Sequence, residues 1–278
     1  MRAALSQVST LPAPLLTELE DYAAGKCTAV ELWLTKVEEH LRGNSVESFR
    51  DFLASQGIEP LSAAFQGGVL ASQGERRAEA WRLLGERLEL CRELAVPTLV
   101  VACDVPAPLG AEDAQRVQVS LVQLARAAAQ TGVRIAIEFQ AGSAWGNNLQ
   151  TAVAMIAEAT AAGAERGMLG ICLDAFHFHV GPSKLQDLEL LNADNLFVVQ
   201  LCDLADVPRE LATDQHRILP GEGDIPIGQI VSRLRQINYE GVVTVETLNP
   251  QLWQVPPRQY GEIALTSLRM CLGQNDNG

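Results

Sequence analysis

Three acidic side chains interrupt stretches that otherwise read as buried strand. Glu138 follows Ile135-Ala136-Ile137, Asp174 follows Ile171-Cys172-Leu173, and Glu246 follows Val242-Val243-Thr244-Val245. An ionised carboxylate among apolar residues is costly unless it is paired or bound to a cation. One such residue alone reads most simply as half of a structural ion pair. Three of them, with few basic residues nearby in sequence, read instead as ligands of one divalent metal ion. Ligation mainly by oxygen suits Mn²⁺ or Mg²⁺. A cation of this kind, bound to a carbonyl and its neighbouring hydroxyl, acidifies the α-carbon proton by stabilising the enediolate. Glu138 and Glu246 are then candidates for proton transfer as well as for ligation.

The elements that must bring these residues together alternate along the whole chain. Short β-rich runs fall at residues 2–6, 30–34, 60–65, 98–103, 134–139, 169–174, 197–202 and 242–247. Amphipathic helical patterns follow most of them, most clearly at 75–94 and 111–130. In the second of these, Val117, Leu121, Leu124 and Ala128 recur at helical spacing, and Gly132 stands where a C-cap is expected. Strand–helix alternation implies parallel strands with crossover helices. Eight units close naturally into a (β/α)₈ TIM barrel. An open doubly wound sheet is the rival, but no Gly-rich dinucleotide fingerprint follows the first strand. One domain over residues 1–273 is expected, with 274–278 a polar C-terminal tail. In such barrels the active site lies at the carboxyl ends of the strands, where all three acids fall. The longest irregular segment, 204–226, follows the seventh strand and reads as a lid or substrate loop.

Glu at the end of strand five, Asp-x-x-His after strand six, a ligand followed by x-x-Asp on strand seven, and Glu on strand eight resemble the xylose-isomerase-like barrel superfamily. The segment His216-Arg217-Ile218-Leu219-Pro220-Gly221-Glu222-Gly223 is similar to its substrate loop. The superfamily includes sugar-phosphate isomerases and epimerases, ketose 3-epimerases, inosose-processing enzymes, dehydroshikimate dehydratases and endonuclease IV proteins. The resemblance implies Glu138, Asp174, Gln200 and Glu246 as metal ligands. It implies His177 as a residue that contacts substrate or relays protons, and Arg217 as a grip on a substrate oxygen or anionic group. Gln200 departs from the histidine usual in the epimerase branch; it also occurs in dehydroshikimate dehydratase-like members. A neutral amide oxygen is a weaker donor for softer metals, which lowers the expectation of tight Zn²⁺ binding.

The expected function is therefore a metal-dependent isomerase or epimerase of a sugar-like polyhydroxy carbonyl compound. A dehydratase of the dehydroshikimate or inosose type shares the same site, and a non-catalytic sugar-binding barrel is a further reading. Trp145, in the loop after strand five, is a candidate sugar-facing aromatic. Glu31 and Trp33 end strand two at the same mouth, with Trp33 the weaker aromatic candidate.

Composition removes several classes. The 278 residues hold 34 acidic and 21 basic side chains, a net charge of −13, and only four histidines. Nucleic acid and anionic membranes are poor partners for such a surface, and a histidine-rich zinc cluster has too few ligands. Six cysteines without a CxxC pair suggest buried free thiols in a reducing compartment. No signal peptide or membrane span is evident, so a cytoplasmic location is expected. Homo-oligomer formation stays open.

Overall fold

Eight parallel strands, each hydrogen-bonded to the next, close on themselves in the order β1 to β8. The computed structural model describes residues 1–274, so residues 275–278 of the expected tail lie outside the described residues. The strands are β1 (Arg2–Ser6), β2 (Ala29–Trp33), β3 (Glu59–Gln66), β4 (Thr98–Cys103), β5 (Arg134–Phe139), β6 (Leu169–Asp174), β7 (Leu196–Leu201) and β8 (Val242–Val245). Around them run α1 (Leu15–Ala24), α2 (Leu34–His40), α3 (Val46–Gln56), α4 (Gly74–Glu93), α5 (Asp113–Thr131), α6 (Leu149–Ala161), α7 (Ala175–Val180), α8 (Ile227–Gln236) and α9 (Pro257–Leu272). The expected (β/α)₈ barrel is the observed fold.

Boundaries differ from the sequence reading by small, explicable amounts. Leu34 opens α2 instead of closing β2, and β8 stops at Val245. Beyond Val245 the chain turns from its neighbour β1: the Thr247 amide donates to Ser9 Oγ at 2.9 Å. Gly132 does close α5, in the left-handed region at φ 75°, and its amide donates to the Ala128 carbonyl.

Two apolar layers hold the barrel. The larger packs the helices on the outside of the strands. The smaller includes Ala4, Ala29, Leu61, Val100, Ala136, Cys172, Val198 and Val242, one residue from each strand, joined by Phe197. Successive side chains on a strand alternate between its faces, so residues two further along share the face of that layer. Counting from Ala29, Ala136, Cys172, Val198 and Val242 gives Glu31, Glu138, Asp174, Gln200 and Thr244. The apolar layer thus floors a polar one, and the site residues are placed by period two alone. On the third strand a register shift between Val30 and Glu31 brings Ser62 level with Glu31.

Among the described residues, no helix is long and apolar enough to cross a membrane. The helical layer is expected to carry stability independently of the site. Leu121, fully buried on α5, should lose about 2–5 kcal/mol when changed to Ala. Urea unfolding should show this as a lower midpoint with an unchanged slope.

Candidate metal centre and active site

A cavity of about 430 Å³ opens at the carboxyl ends of the strands, and Glu138, Gln200 and Glu246 line it. Asp174 completes the cluster: one carboxylate oxygen from each of Glu138, Asp174 and Glu246 lies within 4.8 Å of the others. Oxygens so spaced can share one hard cation at ordinary bond lengths. Glu246 Oε2 is buried with no hydrogen-bond partner. A buried carboxylate oxygen left unpaired is unfavourable, and a cation would satisfy it. The donor set therefore fits a divalent ion.

Asp174 shows how the chain builds the site locally. It ends β6 and caps the short helix α7, its Oδ1 accepting from the His177 amide at 2.8 Å. The Asp-x-x-His spacing is thus a helix cap, and it lifts His177 onto the cavity wall. His177 Nδ1 lies 3.5 Å from the Ala141 amide, which donates to it. Its Nε2 stands 3.7 Å from Glu138 Oε1.

Asp174 Oδ2 accepts from Arg217 Nη1 at 2.6 Å. Arg217 is 1% exposed and also binds Asp214 Oδ1 through Nε at 2.9 Å. Its guanidinium lies 4.5 Å from the centroid of the Phe176 ring. Arg217 lines the cavity, but its charge is already engaged by two aspartates.

The loop after β7 is pinned rather than loose. Asp203 Oδ1 accepts from the amides of Leu204 and Ile225, and Oδ2 from Gly221. Asp203 and Ile218 exchange backbone hydrogen bonds at 2.9 Å each. A Cβ at Gly223 would stand 2.3 Å from the Leu204 carbonyl oxygen, so the chain passes there only as glycine. Asp203, three residues after Gln200, therefore holds the segment that delivers Arg217.

Gln200 is held at both ends of its amide. Nε2 donates to Glu31 Oε1 at 3.0 Å, and Oε1 accepts from Cys172 Sγ at 3.0 Å. Glu31 is fully buried and away from the cavity lining.

Burial dominates the titration of the cluster. Burial, followed by the charge of Asp174, pushes the Glu138 carboxyl up to about 8. Burial and the charge of Glu31 push Glu246 well above the usual range, and burial raises Glu31 itself. Burial would raise Asp174 too, but Arg217 and His177 outweigh it and leave that carboxyl below its ordinary value. Burial depresses His177, which favours the neutral imidazole.

Of the sequence candidates, Glu138, Gln200, Glu246, His177 and Arg217 line the cavity, and Asp174 sits against it. Trp145 is not on that wall; it packs partly buried against the outer core, its carbonyl accepting from Ser143 Oγ. The aromatic wall is Trp33 with Phe65, ring centroids 5.3 Å apart. Phe65, Asp104, Gln140 and Ser143 also line the cavity and were missed in the sequence. They lie at or just past strand ends; Asp104, directly after the apolar run of β4, carries the same signal as the other acids, whereas Phe65, Gln140 and Ser143 carry none by residue type. His216 is tied to Thr213, and His179 lies off the cavity wall.

Residues 19–270 match the family model described as the xylose isomerase-like TIM barrel. The chain belongs to that family. An inosose isomerase of Halalkalibacterium halodurans is 26% identical over 262 residues, covering 92% of this chain and 90% of the relative. A crystal structure of the IolI protein with bound zinc superposes with TM-score 0.89, at 22% identity and 99% coverage of both chains. A D-psicose 3-epimerase with D-tagatose from Clostridium cellulolyticum H10 gives TM-score 0.76 at 16% identity, covering 98% of this chain and 99% of that one.

The Arg217–Asp174 pair generates a prediction. Arg217→Met leaves Asp174 buried among like charges and should destabilise the metal-free protein by about 3–5 kcal/mol. Added Mn²⁺ should raise the melting temperature of the variant more than that of the wild type, because the ion supplies the missing charge. Equal shifts in both proteins would show that the ion does not share Asp174.

Proposed function

We propose that this protein is a divalent-metal-dependent isomerase or epimerase of an uncharged sugar-like ketone, such as an inosose or a ketohexose. The observation that carries this reading is the convergence of Glu138, Asp174 and Glu246 at the barrel mouth, with one Glu246 oxygen buried and unpaired. The inosose isomerase relative and the D-psicose 3-epimerase neighbour support the reaction class.

Glu138, Asp174, Gln200 and Glu246 would hold one Mn²⁺- or Mg²⁺-type ion. Once bound, the ion would polarise the substrate carbonyl and stabilise negative charge on its oxygens. Glu246 takes the α-carbon proton, and the released electron pair moves onto the carbonyl oxygen to give the enediolate. Glu138 returns a proton, to the opposite face for epimerisation or to the adjacent carbon for isomerisation. His177, with Nε2 3.7 Å from Glu138 Oε1, is placed to relay that proton or hold a substrate hydroxyl. Trp33 and Phe65 offer an apolar wall to the hydrophobic face of a sugar or cyclitol ring. Trp145 could reach the substrate only from outside this wall, and its role stays secondary.

Charge favours a neutral substrate. The cavity is lined by Asp104, Glu138, Asp214 and Glu246, against Arg217 and a largely neutral His177. Because Arg217 is committed to Asp174 and Asp214, it has little charge left for a phosphate or carboxylate. This weighs against a sugar phosphate and against dehydroshikimate.

The test is exchange of the substrate α-proton in D₂O, read by NMR with an inosose or ketohexose. The wild type with Mn²⁺ should exchange it. Glu246→Gln keeps a ligating oxygen but loses the proton acceptor, and should slow exchange by at least about 10²-fold while metal stays bound. Exchange that persists in Glu246→Gln would assign the base to Glu138 or His177. A wild type that binds the sugar without exchange would make the protein a binder.

A further inference from the structure

Glu31 has no role in the scheme above, yet it is a fully buried carboxylate reaching the metal cluster from behind the cavity wall. Strand register places it between Ser6 on β1 and Ser62 on β3. Its Oε2 accepts from Ser62 Oγ at 2.8 Å, and its Oε1 accepts from Gln200 Nε2 at 3.0 Å. The hydrogen bonds along this line run in one sense. Ser62 and Gln200 both donate to Glu31, and Cys172 donates to the Gln200 oxygen.

An amide side chain has one end that can ligate a cation and one that repels it, and the two ends have nearly the same shape. Nothing in the packing of Gln200 distinguishes them; polarity must. Glu31 Oε1 accepts from the NH₂ end, which leaves the carbonyl oxygen as the atom available to a cation. Donation to the Glu31 carboxyl also draws electron density toward the amide oxygen, because hydrogen bonds in a chain polarise one another. A neutral ligand is thereby made a better donor.

We propose that Glu31 is a positioning residue for the metal site, acting through Gln200 by fixing and polarising its amide. This inference rests on the assignment of Gln200 as a ligand. It assigns Glu31 no contact with substrate and no ligation of its own. Partners that orient a ligand from behind commonly change metal affinity by about 10–100-fold.

The experiment is a Mn²⁺ titration by calorimetry of the chelated and re-purified full chain. It compares the wild type, Glu31→Gln, Gln200→Ala and the double variant. Glu31→Gln keeps size and burial but can present an NH₂ group to Gln200, which invites the amide to turn around. Affinity should fall about tenfold or more in Glu31→Gln. In the Gln200→Ala background the same substitution should cost at least about fivefold less, since the residue it acts through is gone. If Glu31→Gln does not fold, Ser62→Ala removes one of the donors that hold the carboxyl. It should weaken Mn²⁺ binding by about threefold, again only where Gln200 is present. Unchanged affinity in the single variants, or equal losses in both backgrounds, would overturn the role assigned to Glu31. A wild type that binds no Mn²⁺ would instead overturn the metal-dependent function from which the inference starts.

Discussion

Four buried carboxylates, Glu31, Glu138, Asp174 and Glu246, gather at the mouth of the barrel, and among the described residues Arg217 is the cation that pairs with one of them, Asp174. Each would be expensive to ionise alone, since the interior solvates charge poorly and like charges there repel strongly. Arg217 settles the account for Asp174, which alone of the four has its carboxyl lowered. Burial and neighbouring carboxylates push Glu138 and Glu246 toward the protonated form, while burial alone raises Glu31, against the hydrogen bonds it receives. A divalent ion resolves this imbalance, and the rest of the site can be understood as the apparatus that keeps the acids together until one binds.

That apparatus is distributed over the whole fold. The apolar layer from Ala4 to Val242 closes the barrel below the acids and keeps water from entering from that side. The loop after β7 is fastened by Asp203 to three backbone amides and delivers Arg217 to Asp174. Asp174 meanwhile caps α7, which couples the metal cluster to the position of His177. Substitutions at Asp203 or Gly223 therefore act on the site through the loop, although neither residue lines the cavity.

The sequence made the fold and half of the site legible for a common reason. An apolar strand that ends on an acid announces both the strand and its open end, and Glu138, Asp174 and Glu246 all do so. Glu31 obeys the same rule on β2, but a single buried acid looks like an ion-pair partner until its neighbours are known. Its relation to Gln200 joins strands two and seven, 169 residues apart in the chain, through barrel closure. The aromatic wall was harder. Trp145 and Trp33 both sit near strand ends, and which one faces the cavity depends on strand phase: Trp33 is two residues past Glu31 and shares its face. Trp145 lies in a loop that folds back against Cys103 and Ser143, for which no periodicity exists. Strand eight ended two residues early because the Thr247 amide leaves the ladder for Ser9 Oγ, a partner that residue type does not announce.

The central claim is that one divalent ion is shared by Glu138, Asp174, Gln200 and Glu246. Anomalous diffraction at the manganese edge, from crystals grown with Mn²⁺, tests it directly. One strong peak within about 2.0–2.4 Å of oxygens from these four side chains is the predicted result. A peak elsewhere, or none at this cluster under saturating Mn²⁺, would contradict it.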